Sequence, residues 1–494
     1  MSENKKKYKG TYFISSISLT SAVVEYGISS IFILSLLYVL HFSTPLASQT
    51  YAYYYGLAYL LPILIGYLSD KYLSKSRALT IGFVVMILSQ FILSFSTSLY
   101  QPSNIEYNSY FFSIQNVTYS LGLLFLAVGA GFTNLSITHI INSINDKESS
   151  VHAFSLYYPI LNLGVMLGAI LMSVIIGEEN YHMYKWTYLL FGIILIIGLI
   201  VFHMLKNKYL VDNEGKLMKD EHSKNSIWKE SNKLLEKVSS KSILEIENLN
   251  LKERFLLFNK SLDKIEKDRL TVFLIFLLII IFYRIAYSQT SISMVFFIDI
   301  FVERNLYYFE VPVQLFFMLN PLFIMLLSPI LIKFNNMINE RNIEFGFINR
   351  TIVALLVIVL CFGMLSALGY YLDIGGTDKI SIIWIPIVEL LVAISELLFS
   401  IAGYSLVGDL APEKYYSLFF GLFLATRSIS MYLSGKLSIL FPTNVTPAYY
   451  MNIPINGLMN YFLIIVTMTL IAVVILFSLR KMLRRKMHLD KLIQ

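Results

Sequence analysis

The residues with the clearest chemistry are ionisable side chains standing inside long apolar runs, among them Glu25, Arg284, Glu389, Glu396 and Arg427. A charge in such a run is costly, and by default it marks a site that binds a charged group or moves a proton. Glu396 is one such acid, and by default a functional residue. Glu389 lies seven residues earlier, on the same helical face. Two readings of Glu389 stand: a proton carrier, or a structural partner for Arg427 or Lys436. Asn162 and Asn320 are lone amides in apolar segments, able to bond a ligand's amides or a neighbouring helix. His139 reads as a packing residue rather than a proton relay. The sequence has no GxxxxGKS/T phosphate loop, no HExxH metal pair and no GxSxG nucleophile elbow. It therefore reads as neither an enzyme nor an ATP-driven pump, with no cofactor and no metal.

The elements that must position these residues are membrane spans. Only 14% of the 494 residues are charged and 56% are hydrophobic, against roughly 25% charged in a soluble domain. In lipid only helices or a closed barrel satisfy the backbone, and a barrel reads as alternating segments of ~10 residues. The runs here are long and continuous. At ~20 apolar residues per span, they fall at 13–40, 52–67, 78–99, 119–141, 153–176 and 186–205. A second set follows at 270–301, 313–332, 352–372, 380–407, 418–440 and 459–479. The sequence thus predicts an all-α polytopic protein of 12 spans in two six-helix bundles: 1–206 and 269–482, with a linker at 207–268 and a basic tail at 483–494. The linker, rich in Lys, Glu, Asn and Ser, reads as a tether, with a regulatory segment as the alternative.

Lys and Arg set the orientation. They gather at the N-terminus, in DKYLSKSR, through 206–269, around 333–350 and in RKMLRRK. Loops such as HFSTPLASQTY and FPTNVTPAYYMNIPING carry none. Both termini are therefore expected on the cytoplasmic side of a multi-pass protein of the cell (inner) membrane. The net charge of +7 is explained by topology, so no nucleic-acid partner is implied. The first apolar segment is too long for a cleaved signal peptide and reads as the first span. Cys361 is the only cysteine, which excludes a disulfide framework.

Two six-span halves around a polar linker describe the major facilitator architecture. The loop GYLSDKYLSKSR resembles that superfamily's loop pattern, with Gly66 for close helix approach, Asp70 at a neighbouring helix end, and Lys71, Lys75 and Arg77 anchoring the cytoplasmic face. Further segments are YLLPILIGYLSDKYL, FSLYYPILNLGVMLGA, QLFFMLNPLFIMLLSPI and ISELLFSIAGYSLVGDLAPEKYYSLFFGLFLATRSISMYLSG. In order and spacing they resemble the proton-dependent oligopeptide transporter family, from the first span to the eleventh.

The resemblance implies a central peptide-sized cavity lined by Tyr26, Tyr59, Asn162, Gln289, Asn320, Glu396 and Phe423. Departures from the family accompany it. Ser18, Ser21 and Ala22 occupy the positions of its first-span glutamates and arginine. Ser29, Phe132 and Ser288 stand where the family has an arginine, a basic residue and a glutamate. Glu25 and Arg284 each lie one turn before a missing charge, and are expected to form a swapped pair or to meet other partners. Arg427 occupies a position that is usually small. Together Glu25, Arg284, Glu389 and Arg427 are the candidates for proton coupling or gating.

The function implied is secondary transport of di- or tripeptides or peptide-like molecules by alternating access, coupled to protons. The alternative is a carrier or exporter of another amino-bearing metabolite without the usual coupling. From another class, a membrane nutrient receptor signalling through 207–268 would lose function on deletion of that segment, which a transporter would tolerate.

Overall fold

The computed structural model describes residues 8–100, 113–145, 147–177, 180–210, 260, 262–341, 346–375, 377–410, 416–442, 448–450, 453–455 and 457–488. Most of the linker and the last six residues of the tail lie outside them. The chain is built of helices: α1 (Lys9–Tyr38), α2 (Thr44–Tyr72), α3 (Lys75–Ser98), α4 (Ile114–Ile144), α5 (Lys147–Ile176) and α6 (Tyr184–Tyr209) form the first set. The second set is α7 (Lys264–Ser288), α8 (Ser293–Phe301), α9 (Leu319–Glu340), α10 (Phe347–Asp373), α11 (Trp384–Leu410), α12 (Tyr416–Ser438) and α13 (Leu458–Met487).

Among the described residues, nine stretches are long and apolar enough to cross a membrane. Most of them also present apolar side chains outward, with Val174 77%, Leu278 63% and Leu360 59% exposed. Exposed apolar stripes along nearly every helix are the inverse of a soluble surface and suit a hydrocarbon solvent. The all-α polytopic architecture expected from the sequence is therefore the one observed.

Two expected spans differ in detail. The run 270–301 is broken into α7 and α8 by a 3-10 turn at Gln289–Ser291, where polar residues interrupt the apolar pattern. The run 313–332 opens as a 3-10 helix, Val313–Met318, before α9 begins, which places Pro321 in the first turn of α9, where its missing N–H leaves no helical bond unmade.

Among the described residues, six short strands join helix ends. β1 (Val302–Glu303) pairs in parallel with β4 (Ile380–Ser381). β2 (Asn305–Leu306) and β3 (Phe309–Glu310) form a hairpin after α8, as do β5 (Ala448–Tyr450) and β6 (Ile453–Ile455) before α13. Asp373, at the end of α10, caps the start of α13 by accepting the N–H groups of Leu458 and Met459 at 3.0 and 2.9 Å, a carboxylate at a helix N-terminus. Gly457 precedes that turn with φ +91°, and a Cβ there would meet Asp373 Oδ2 at 2.4 Å, so the cap requires glycine.

Within the first set, α1 packs on α5 with little side chain between them. A Cβ on Gly168 would stand 2.4 Å from the Val23 carbonyl and 2.8 Å from the Gly27 nitrogen. The small residues of FSLYYPILNLGVMLGA thus allow two backbones to meet, which compensates for the lack of a hydrophobic drive between helices in lipid.

The two sets meet mainly along α2 with α12 and along α5 with α9 and the turn before it. Ser428 donates to the Gly56 carbonyl at 2.6 Å, Tyr53 stacks on Tyr432 at 5.9 Å, and Gly435 lies against Ala52 and Ser48. Because the helices alternate in direction, the loop at 39–43, Gly177 and the turn Tyr181–Met183 share one end of the bundle with the β2–β3 hairpin. At this far end, opposite the chain termini, Tyr38 donates to Asp299, and Gln314 Nε2 donates to the Gly177 carbonyl at 2.6 Å. The described contacts between the sets therefore run from mid-helix to the far end.

Candidate functional site

Glu25, Glu396 and Arg427, singled out in the sequence, lie near the middles of their helices on both sides of the seam. Glu396, half-buried on α11, accepts the Tyr287 hydroxyl of α7 on Oε2 at 2.8 Å and is also bonded by Asn320 of α9. Three helices of the second set thus converge on one carboxylate. Glu389, two turns away, is buried within electrostatic reach of Glu396 and beside Cys361 of α10.

The opposite charge comes from α12. Arg427 lies over the Tyr59 ring of α2, its Cζ 5.4 Å from the centroid, and is within electrostatic reach of Glu396 and Tyr26. An arginine stacked across the seam can present N–H donors to a carboxylate while its face rests on an aromatic ring. Tyr26 is 39% exposed yet within reach of Glu25, Tyr59 and Arg427, so its open face looks into the space between the sets. The site therefore offers an acid held by Tyr287 and Asn320 and a base held by Tyr59, with tyrosine walls between. A zwitterion matches that arrangement.

The remaining candidates take other places. Glu25 accepts from Asn134 Nδ2 of α4 at 3.1 Å, and the Arg284 guanidinium sits over Phe423 of α12 at 5.0 Å. Each of the two charges expected to form a swapped pair is thus held by a neighbour of its own set. Asn162 is buried and donates to the Tyr158 carbonyl in its own helix at 2.9 Å. Gln289 is fully buried: its amide nitrogen donates to the Ser434 carbonyl at 3.1 Å, and its oxygen accepts from Ser293, Ser438 and Tyr461 at 2.6, 2.8 and 3.0 Å. That network ties the helix break to α12 and α13, so Gln289 has its polar atoms filled by protein. His139 is half-buried on α4. Gly66 has Leu135 of α4 3.5 Å from where a Cβ would stand, and Arg77 is exposed. The side chains of Asp70 and Lys71 lie outside the described residues.

The positions of the missing charges are closed by neutral groups. Ser18 donates to the Tyr157 hydroxyl at 3.4 Å, Ser21 bonds its own helix, and Ala22 packs against Gly164. Ser288 bonds the Arg284 carbonyl at 2.7 Å. Ser29 is bonded by Tyr51 and Tyr55, and Tyr51 also reaches Ser291 at the break between α7 and α8. A tyrosine and serine network thus joins the sets between Ser29 and Ser291.

Sequence reading missed Tyr287, Asn134 and Tyr51, whose hydroxyl and amide groups give no signal until a partner is known. It also missed Asp299, an acid inside the run 270–301 that the cost of intramembrane charge should have flagged.

Residues 74–451 match the POT family. The chain belongs to the POT family. Relatives of this POT member include dipeptide and tripeptide permease B of Yersinia enterocolitica, 25% identical over 450 residues that cover 87% of this chain and 86% of the relative. The permease B of Aliivibrio fischeri is 24% identical over 452 residues, covering 88% and 85%. A crystal structure of a peptide transporter POT mutant in complex with alafosfalin superposes with a TM-score of 0.76 at 18% identity, covering 97% of this chain and 96% of that one. A POT family transporter in complex with 5-aminolevulinic acid superposes at 0.73, with 18% identity and 96% of each chain covered. At that identity these structures speak for the fold.

Proposed function

We propose that this POT family member is a secondary transporter that carries di- or tripeptides, or molecules resembling them, between two sides of a membrane by alternating access. The observation that carries the reading is the placement of Glu396 and Arg427 on either side of one mid-depth space, the first bonded by Tyr287 and Asn320 and the second stacked on Tyr59. Glu396 receives the substrate's ammonium group, Arg427 its carboxylate, and Tyr26, Tyr59 and Phe423 accommodate varied side chains. The names of the relatives, dipeptide and tripeptide permeases, support the same substrate class.

Twelve spans in two bundles complete the reading, with α2, α11 and α12 joining the nine apolar stretches and α7 with α8 making one span. The basic residues at the terminal end, such as Lys75, Lys206, Lys208 and Arg484, support cytoplasmic termini in the cell (inner) membrane. The closed far end then faces outward, and substrate leaves toward the cytoplasm. Protons couple through a carboxylate on the transport path, with Glu396, Glu389 or Glu25 as the carrier, and the 207–268 segment tethers the bundles.

A second reading, uncoupled transport of another amino-bearing metabolite, is favoured by the neutral residues at Ser18, Ser29, Phe132 and Ser288. Competition against labelled dialanine uptake separates the two. The peptide reading expects inhibition by dipeptides and none by single amino acids or nucleosides; the reverse order would replace it.

A further inference from the structure

At the far end a cavity of about 250 Å³ lies between the two sets. It is remote from Glu396 and is lined on one side by tyrosines of the first set and on the other by the residues around the β2–β3 hairpin. We propose that this cavity is a second binding site, separate from the central one, for a small molecule bearing a primary ammonium group.

Two carboxylates, those of Asp299 and Glu310, and the Gln314 amide stand in one wall. Arg304 approaches Glu310 at 2.9 Å and Asp299 at 3.6 Å, and its other amino group donates to the Val311 carbonyl at 3.0 Å. One guanidinium therefore faces two carboxylates. The Gln314 nitrogen is engaged by Gly177, so the amide oxygen is the part of that side chain left for a ligand. A ligand carboxylate would meet two acids and a committed arginine, whereas an ammonium brings three donors to a surplus of lone pairs. Glu310 is the most accessible of the three charges, its side chain 33% exposed against 14% for Asp299 and 7% for Arg304. Lys379, a further cation within electrostatic reach of Asp299, is exposed and stands outside the cavity walls.

The opposite wall suits the same group. Tyr38 and Tyr181 stack at 5.4 Å, and Tyr184 continues the aromatic surface. Aromatic faces attract an ammonium through the ring quadrupole, and the cavity volume restricts the ligand to a small amine. Its walls come from both sets, so the site is complete only while the far end is closed. A ligand there stabilises that state by its differential affinity, and is expected to slow transport without competing for the central site.

Titration calorimetry of the purified full-length protein with 1,4-diaminobutane tests the site without depending on peptide transport. One saturable site is expected in the wild type and in Glu396→Gln, with affinity at least tenfold weaker in Glu310→Gln and in Gln314→Leu. The two variants remove different acceptors of the same wall, and a cooperative melt of either shows that loss of binding is not loss of fold. Absence of saturable binding to folded wild type would overturn the proposal, as would weakening by Glu396→Gln and not by Glu310→Gln. Displacement in the Glu396→Gln protein identifies the source of the amine. Displacement by dialanine and not by N-acetyl-dialanine means that the substrate's own amino end visits the rim, and displacement by neither means a separate effector.

Discussion

Tyr287 donates its hydroxyl to Oε2 of Glu396 at 2.8 Å, joining α7 to α11 at the depth of the central site. A hydrogen bond to a charged group contributes about 1.5–3 kcal/mol. Tyr287→Phe is therefore expected to raise the KM for dialanine by roughly 10- to 150-fold. Combined with Glu396→Gln the effects should be strongly non-additive, because both changes remove the same contact. Uptake kinetics of the two single variants and the double variant check this.

How much of this was legible beforehand follows from what each residue's chemistry demands. The spans were legible because lipid imposes long apolar runs, and Glu396 because a buried acid is conspicuous in one. Asn320 was singled out by its motif, and the structure adds that it bonds Glu396. Gln289 lies in the expected segment, but four protein partners surround its amide, and no sequence pattern reveals whether an amide looks into a cavity or into a helix seam. The positions of the absent charges were readable from sequence. The serine and tyrosine network closing them was not, since it joins Ser29, Tyr51 and Ser291 across more than two hundred residues of chain.

Arg427 rests on Tyr59 across the seam at 5.4 Å. Lysine keeps the charge but loses the planar stack and the forked donors. A cation–π contact contributes about 0.5–2 kcal/mol, so Arg427→Lys should weaken dialanine binding by roughly 2- to 30-fold, and Arg427→Ala by more. Binding to purified protein measures both.

The α1–α5 contact tolerates no methyl group at Gly168, where a Cβ would meet backbone atoms of Val23 and Gly27. Gly168→Ala should destabilise the protein by about 1–3 kcal/mol. Gly363→Ala, in α10, meets nothing within 4 Å and should be neutral or slightly stabilising. Thermal melts in one detergent give the comparison.

At the far end, Tyr38 and Asp299 link the two sets. Removing that hydroxyl in Tyr38→Phe should raise the population open at the far end about tenfold, the equivalent of 1.4 kcal/mol. Cys361, the sole cysteine, can be replaced, and a reporter cysteine placed at Leu34, which lines the rim cavity. Its maleimide labelling from the far side should then accelerate about tenfold when Tyr38→Phe is added.

The most direct test of the central claim is uptake of labelled dialanine into liposomes containing the purified protein, with and without an inward proton gradient, for wild type and Glu396→Gln. The account predicts uptake that the gradient drives in the wild type and that the variant loses. Absence of dialanine uptake under either condition, by protein that still melts cooperatively, would contradict it.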